Sequence, residues 1–123
     1  MVKLATGVDL IEVERIANAM ERHGDRFLRR IYTRKELALV GGNTASLAAR
    51  FAAKEAVAKA LGCGIGDVTW VEIEVLRGPN NQPELHLHGN ARKISEALGF
   101  HTWAVSLSHS IDFAIAMVTV MGE

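Results

Sequence analysis

Glu55 and Lys59 stand one helical turn apart in Phe51-Ala52-Ala53-Lys54-Glu55-Ala56-Val57-Ala58-Lys59, and Asp9 closes a short apolar run at Gly7-Val8-Asp9. At i,i+4 spacing the acid and the base share one helix face, in the order that favours a Glu–Lys pair. On a solvated surface such a pair is decoration worth a few tenths of a kcal/mol. Here Leu47, Phe51, Glu55 and Lys59 form a single i+4 row, so the charges continue an apolar stripe rather than the solvent side. Arg50 and Lys54 add positive charge beside it, and the alanines between them leave room for a bulky ligand. Asp9 and Glu55 together offer two hard oxygen donors. That set suits magnesium, which takes one or two carboxylates and completes its shell from water and substrate phosphates. The chemistry these residues suggest is a hard cation and a phosphate held together.

Periodicity supplies the elements that would position them. Leu4 to Glu12 reads as a strand, with Gly7 allowing a close backbone approach. Residues 13–22 have helical spacing, with Val13, Ile16, Ala17 and Met20 on one face and Gly24 as the stop. Asp25 to Ile31 forms a short helix, and Thr33-Arg34-Lys35-Glu36 is a capping box that opens another. After the break at Gly41-Gly42-Asn43-Thr44, Thr44 or Ser46 caps a long alanine-rich helix running to Leu61. Residues 68–76 alternate, which predicts a strand with Val71, Ile73 and Val75 on one face and Trp70, Glu72 and Glu74 on a wet one. A turn at Asn80-Asn81-Gln82-Pro83 leads to a second strand, where Leu85 and Leu87 alternate with His86 and His88. A short helix from about Asn90 to Leu98 follows. Thr102–Ser108 and Phe113–Met121 then close the chain as a hairpin around Ile111-Asp112. The expected fold class is α+β, an antiparallel sheet packed on a long helix, in one domain spanning 1–123.

Composition narrows the function classes. The 123 residues carry 14 basic and 14 acidic side chains, so no net field favours nucleic acid or membrane binding. Cys63 is the only cysteine, which excludes an intrachain disulfide and suits a reducing, cytoplasmic setting. Charge is nevertheless clustered: Arg15, Arg22, Arg26, Arg29, Arg30, Arg34 and Lys35 fall within 21 residues. Such a run is either a solvated helical face or a dock for an acidic partner. His109 ends the strand Trp103–Ser108, flanked by Ser108 and Ser110. Neighbouring strand residues point to opposite faces, and no glycine-flanked elbow accompanies them, which argues against a Ser–His nucleophile. Gly62-Cys63-Gly64-Ile65-Gly66 follows a helix instead of a strand, so it reads as a helix stop, not a dinucleotide loop. His86 and His88 share a strand face with no third metal ligand in view, and read as a solvated face.

Taken in order, Gly7-Val8-Asp9, Arg15-Ile16, Tyr32-Thr33-Arg34-Lys35-Glu36, Arg50 to Gly62, Ile73-Glu74-Val75, Pro83 and the closing hairpin cover nearly the whole chain. This set resembles the holo-acyl-carrier-protein synthases, the small class of 4′-phosphopantetheinyl transferases. The resemblance implies transfer of 4′-phosphopantetheine from coenzyme A to a serine of apo acyl carrier protein, releasing adenosine 3′,5′-bisphosphate. It implies Mg2+ held by Asp9 and Glu55, with Glu55, Lys59 and Asp9 as catalytic residues. Arg50, Lys54, Pro83 and His109 would bind the coenzyme, and Arg15, Arg22 and Arg26 the acidic carrier. It also implies a homotrimer, with Asp9, Glu55 and Lys59 from one subunit and His109 and the Pro83 turn from its neighbour. The face of Trp103, Val105 and Leu107, which one helix does not obviously cover, is the expected contact between subunits. Two features depart from the family pattern: Asn81-Gln82-Pro83 stands in place of Gly-x-Pro, and the loop Gly41–Thr44 is uncharged. Two other readings compete, a non-catalytic module that binds an acidic partner and a metal-dependent phosphohydrolase using the same carboxylates.

Overall fold

The structure, a computed structural model, describes residues 1–123. At its centre lies the long helix α4 (Thr44–Ala60), whose buried face is mostly alanine. Small side chains let strands approach the helix backbone closely, and the chain uses this at Gly7. A Cβ at Gly7 would lie 1.9 Å from the Ala56 carbonyl oxygen, so only glycine fits there. The strand carrying it, β1 (Lys3–Glu12), is thereby pressed onto α4 with Asp9 beside the helix's last turn.

β1 pairs with β5 (Phe113–Gly122), and β5 with β4 (Phe100–His109), giving a three-stranded antiparallel sheet of order β1-β5-β4. The inner face presents Ala114, Ala116, Val118 and Val120 to α4, all fully buried. A separate antiparallel ribbon, β2 (Ile73–Arg77) with β3 (Pro83–Leu87), packs beside β4. Helices α1 (Val13–His23), α2 (Asp25–Ile31) and α3 (Arg34–Val40) lead into α4, and α5 (Gly89–Ala97) joins β3 to β4. The α+β class with antiparallel sheets on one long helix stands as expected.

Four local expectations are corrected. Trp70–Glu72 is a 3₁₀ turn, so the strand starts only at Ile73. Glu74, expected on a wet face, is buried, because Thr33 Oγ1 donates to it at 2.5 Å and His88 contacts it at 3.0 Å. The N-cap of α4 is Asn43, whose Oδ1 accepts from Ser46 N–H at 3.0 Å, in place of Thr44 or Ser46. Trp103, Val105 and Leu107 lie half-buried against the core. The uncovered apolar face is the opposite one, with Leu4, Val8, Leu10, Ile115, Met117 and Met121 exposed on β1 and β5. On β5, helix α4 takes the face with the smaller side chains, and Ile115, Met117 and Met121 are left outside.

Other local readings hold. The Thr33–Glu36 capping box is present, with Thr33 N–H donating to Glu36 at 2.9 Å and Glu36 N–H to Thr33 at 3.1 Å. Gly62, at φ +74, ends α4, and the Cys63 N–H bonds back to the Ala58 carbonyl. Asn81 takes φ +66, the left-handed turn that asparagine tolerates best among non-glycine residues. His86 and His88 do not form a pair: His86 contacts Glu84 and His88 contacts Glu74.

Candidate active site

Two clusters of sequence-predicted residues hang from α4. At its last turn, the Lys59 ammonium donates to Asp9 Oδ1 at 3.1 Å and to the Val8 carbonyl at 2.9 Å. Lys59 is half exposed and Asp9 mostly covered. Glu55, one turn back, is half-buried and hydrogen-bonds to no protein donor. Burial pushes its carboxyl above the ordinary glutamate range, and the Asp9 charge pushes it further, while Lys59 and Arg15 pull it back. The two carboxylates raise each other's charge cost on a partly open surface, which a bound cation would relieve. Their donor set is all oxygen, which is what magnesium requires.

The second cluster lies near the helix's start. Arg50, Pro83 and His109 line one cleft of about 390 Å³, together with Ser46 and Arg77. Arg50 is buried, with Nε donating to the Val75 carbonyl at 3.1 Å. Neither Asp9, Glu55 nor Lys59 is in the wall of this cleft. Helix geometry explains the separation. Nine residues part Arg50 from Lys59, about 13 Å along the axis and about 180° around it.

Lys54 belongs to neither cluster, which corrects its expected role in coenzyme binding. It is fully buried, and its ammonium contacts Glu36 at 2.7 Å, the Trp70 carbonyl at 3.0 Å and the Ile73 carbonyl at 2.5 Å. All three donors are thereby used, and none is left for a phosphate. Burial lowers the Lys54 pKa and the Glu36 carboxylate raises it again. Glu36 also accepts from Val75 N–H at 2.9 Å, so this pair ties α3, α4 and β2 together.

Arg15 approaches the acid cluster closely enough to act on Glu55. Arg22 and Arg26 are exposed on α1 and α2. None of the seven clustered cations from Arg15 to Lys35 is in an ion pair. Arg77 lines the cleft of Arg50 and His109 and was not singled out in the sequence. Its signal was available in the ribbon register, which sets it opposite Pro83.

The model of the 4′-phosphopantetheinyl transferase superfamily matches residues 5–117. The chain belongs to this family. Within the family it is similar to the holo-[acyl-carrier-protein] synthase of Herpetosiphon aurantiacus, 50% identical over 126 residues, covering 97% of this chain and 99% of that protein. Among solved structures, the Helicobacter pylori holo-[acyl-carrier-protein] synthase in complex with coenzyme A superposes with a TM-score of 0.85. It is 31% identical, covering 94% of this chain and 98% of that one. The Bacillus anthracis holo-(acyl-carrier-protein) synthase, in complex with CoA (3′,5′-ADP), has a TM-score of 0.78 at 34% identity, covering 97% and 96%. Membership makes the protein a group-transfer enzyme.

Proposed function

We propose that the protein transfers the 4′-phosphopantetheine arm of coenzyme A to a serine of apo acyl carrier protein and releases adenosine 3′,5′-bisphosphate. The observation that carries this reading is the Asp9–Glu55–Lys59 cluster, two carboxylates that act on each other electrostatically with a lysine bonded to one of them. Asp9 and Glu55 would hold Mg2+, which when bound neutralises charge on the pyrophosphate. The serine Oγ forms a bond to the β-phosphorus as the bridging P–O bond to the adenosine moiety breaks. Glu55, with its raised proton affinity, would take the serine proton. Lys59 offsets or protonates the departing phosphate oxygen. Arg50, Pro83 and His109 bind the coenzyme away from the reacting centre. Arg15, Arg22 and Arg26 steer the acidic carrier.

The working unit is a homotrimer of 123-residue transferase domains in the cytoplasm, with coenzyme A shared between neighbouring subunits. Two features support this reading. The uncovered face of Leu4, Val8, Leu10, Ile115 and Met117 is a contiguous apolar surface of the kind a closed assembly buries. The two polar clusters also point to opposite sides of α4, so one subunit's acid cluster is completed by another's basic cleft.

The test is an intact-mass assay of apo acyl carrier protein with coenzyme A and magnesium. Gain of one phosphopantetheine by the carrier is the expected result. Breakdown of coenzyme A without that gain would make the protein a phosphohydrolase, and no change in either would make it a binding module.

A further inference from the structure

We infer that Glu36 is a positioning residue for the coenzyme, holding Arg50 and the β2–β3 ribbon in place from behind the cleft they line. This deepens the transfer reading above and rests on it. Glu36 is fully buried and is not in the wall of the cleft, so it acts on a ligand only through its neighbours. Those neighbours are few. β2 is paired with β3 on one side only, and side chains close its other edge. Lys54 Nζ donates to the Ile73 carbonyl at 2.5 Å, Val75 N–H to Glu36 Oε2 at 2.9 Å, and Arg50 Nε to the Val75 carbonyl at 3.1 Å. Val75 is thus held at both of its edge-facing groups, by the acid and by the base. Arg50 and Lys54 stand four residues apart on one face of α4, and Glu36 is bonded to Lys54 at 2.7 Å. After burial itself, Glu36 is the strongest influence on Lys54, Arg50 and Tyr32 alike. It pulls the two cations back up against burial and pushes the phenol higher still.

Two short paths lead from this carboxylate to the cleft. Val75 lies two residues before Arg77, which faces Pro83 in register, so a strand released at Val75 takes the Pro83 turn with it. Arg50 spends its Nε on the same Val75 carbonyl, so the plane of its guanidinium is set by where Val75 lies. Glutamine cannot stand in for the acid. Glu36 Oε1 accepts from Thr33 N–H and from Lys54, while Oε2 accepts from Val75 N–H. In an amide one of those two atoms becomes a donor, and it would meet a backbone N–H head on. The hydrogen bonds that join Lys59 to Asp9 and Val8 involve none of these groups.

The test titrates coenzyme A calorimetrically into wild type, Glu36→Gln, Lys54→Met and the double variant, with the stability of each taken from chemical denaturation. Affinity should follow Glu36, whereas stability should follow the balance of buried charge. Lys54→Met leaves Glu36 with Val75 as donor and Arg50 as counter-charge, so it should lose stability but keep its Kd within about two-fold. Glu36→Gln should lose stability and also weaken coenzyme A about ten-fold, the cost of one buried donor left unpaired. The double variant should regain part of the stability and still show the ten-fold loss. In the intact-mass assay its KM for coenzyme A should rise by about the same factor, with kcat and the KM for carrier within about two-fold of wild type. A general loosening of the fold would move all three. If the single variants are too unstable to purify, the double variant decides alone: wild-type affinity, or a loss shared by kcat and both KM values, overturns the assignment. So does a Lys54→Met that weakens coenzyme A as far as Glu36→Gln. A wild type that does not bind coenzyme A contradicts the transfer reading and this inference with it, whereas firm binding that Glu36→Gln leaves unchanged counts against Glu36 alone.

Discussion

The two ends of α4 carry opposite chemistry. Near its start, Arg50 is sunk into the protein beside Arg77 and His109, in a cleft without a single acid. At its last turn, Lys59 is half exposed and bonded to Asp9, and the Asp9 charge acts on Glu55. The basic end suits an anion that stays put, and the acidic end suits a cation and a bond that changes. Between them Lys54 adjoins Glu55 in sequence but points inward, where Glu36 and two carbonyls use all its donors. The difference teaches that charge type alone does not assign a role on this helix. Rotation about the axis does, at about 100° per residue.

The strongest way to break this contrast is at its middle. Lys54→Met should destabilise the fold by about 3–5 kcal/mol in chemical denaturation, because Glu36 is left buried and unpaired. Adding Glu36→Gln should recover part of that loss. A Lys54 variant of wild-type stability that fails only in coenzyme affinity would return Lys54 to the binding site. At the acid end, Asp9→Asn or Glu55→Gln should each lower kcat/KM by roughly 10²–10³-fold, the usual scale for one preorganised electrostatic group. The double variant should be little worse than either single one, and fully additive losses would separate the two carboxylates. Gly7→Ala should cost about 1–3 kcal/mol by driving a methyl group into the Ala56 carbonyl, with loss of the Asp9–Lys59 geometry. Reversal of Arg22 or Arg26 to Glu should raise the KM for carrier protein up to about ten-fold and leave that for coenzyme A nearly unchanged. Added salt should imitate it, and a salt-independent KM would remove the patch from docking.

The smallest expected effect is on pH. Burial, then Asp9, raises the Glu55 pKa, so the acid limb of kcat/KM should fall above the ordinary glutamate range. For a carboxyl whose folded pKa is raised, the folded state holds its proton longer than the unfolded one. Its contribution to stability therefore falls as pH rises from the ordinary glutamate value through the raised one. Glu55→Gln should remove that penalty and leave Tm equal or slightly higher at neutral pH. A clear drop in Tm would mean that Glu55 is structural.

Features set by local chemistry were legible in the sequence. The Thr33–Glu36 box, the Gly62 stop and the left-handed Asn81 each depend on residues within a few positions, and all three are present. Gly7 was legible because a lone glycine in a strand signals a close approach, here to Ala56. Glu74 was not legible as a buried acid, since Thr33 lies 41 residues away and His88 14. Lys54 was misread for the same reason: its partner Glu36 comes from another helix, 18 residues earlier. Period-two alternation separated the two faces of β4 and β5 without saying which met α4. Alanines on a helix call for a close-packed strand face, so Ala114 and Ala116 against Met117 held the answer. Arg77 needed the ribbon register, which alternation alone did not fix.

In the proposed assembly, an acid end from one subunit and a basic end from another work on one coenzyme. Coexpression of Glu55→Gln with His109→Ala, each carrying a different affinity tag, isolates mixed assemblies for the intact-mass assay. Each variant alone should transfer poorly, whereas mixed assemblies should recover transfer because some sites combine two unaltered ends. Mixed assemblies no better than their parents, or a fully active monomer by light scattering, would contradict the claim.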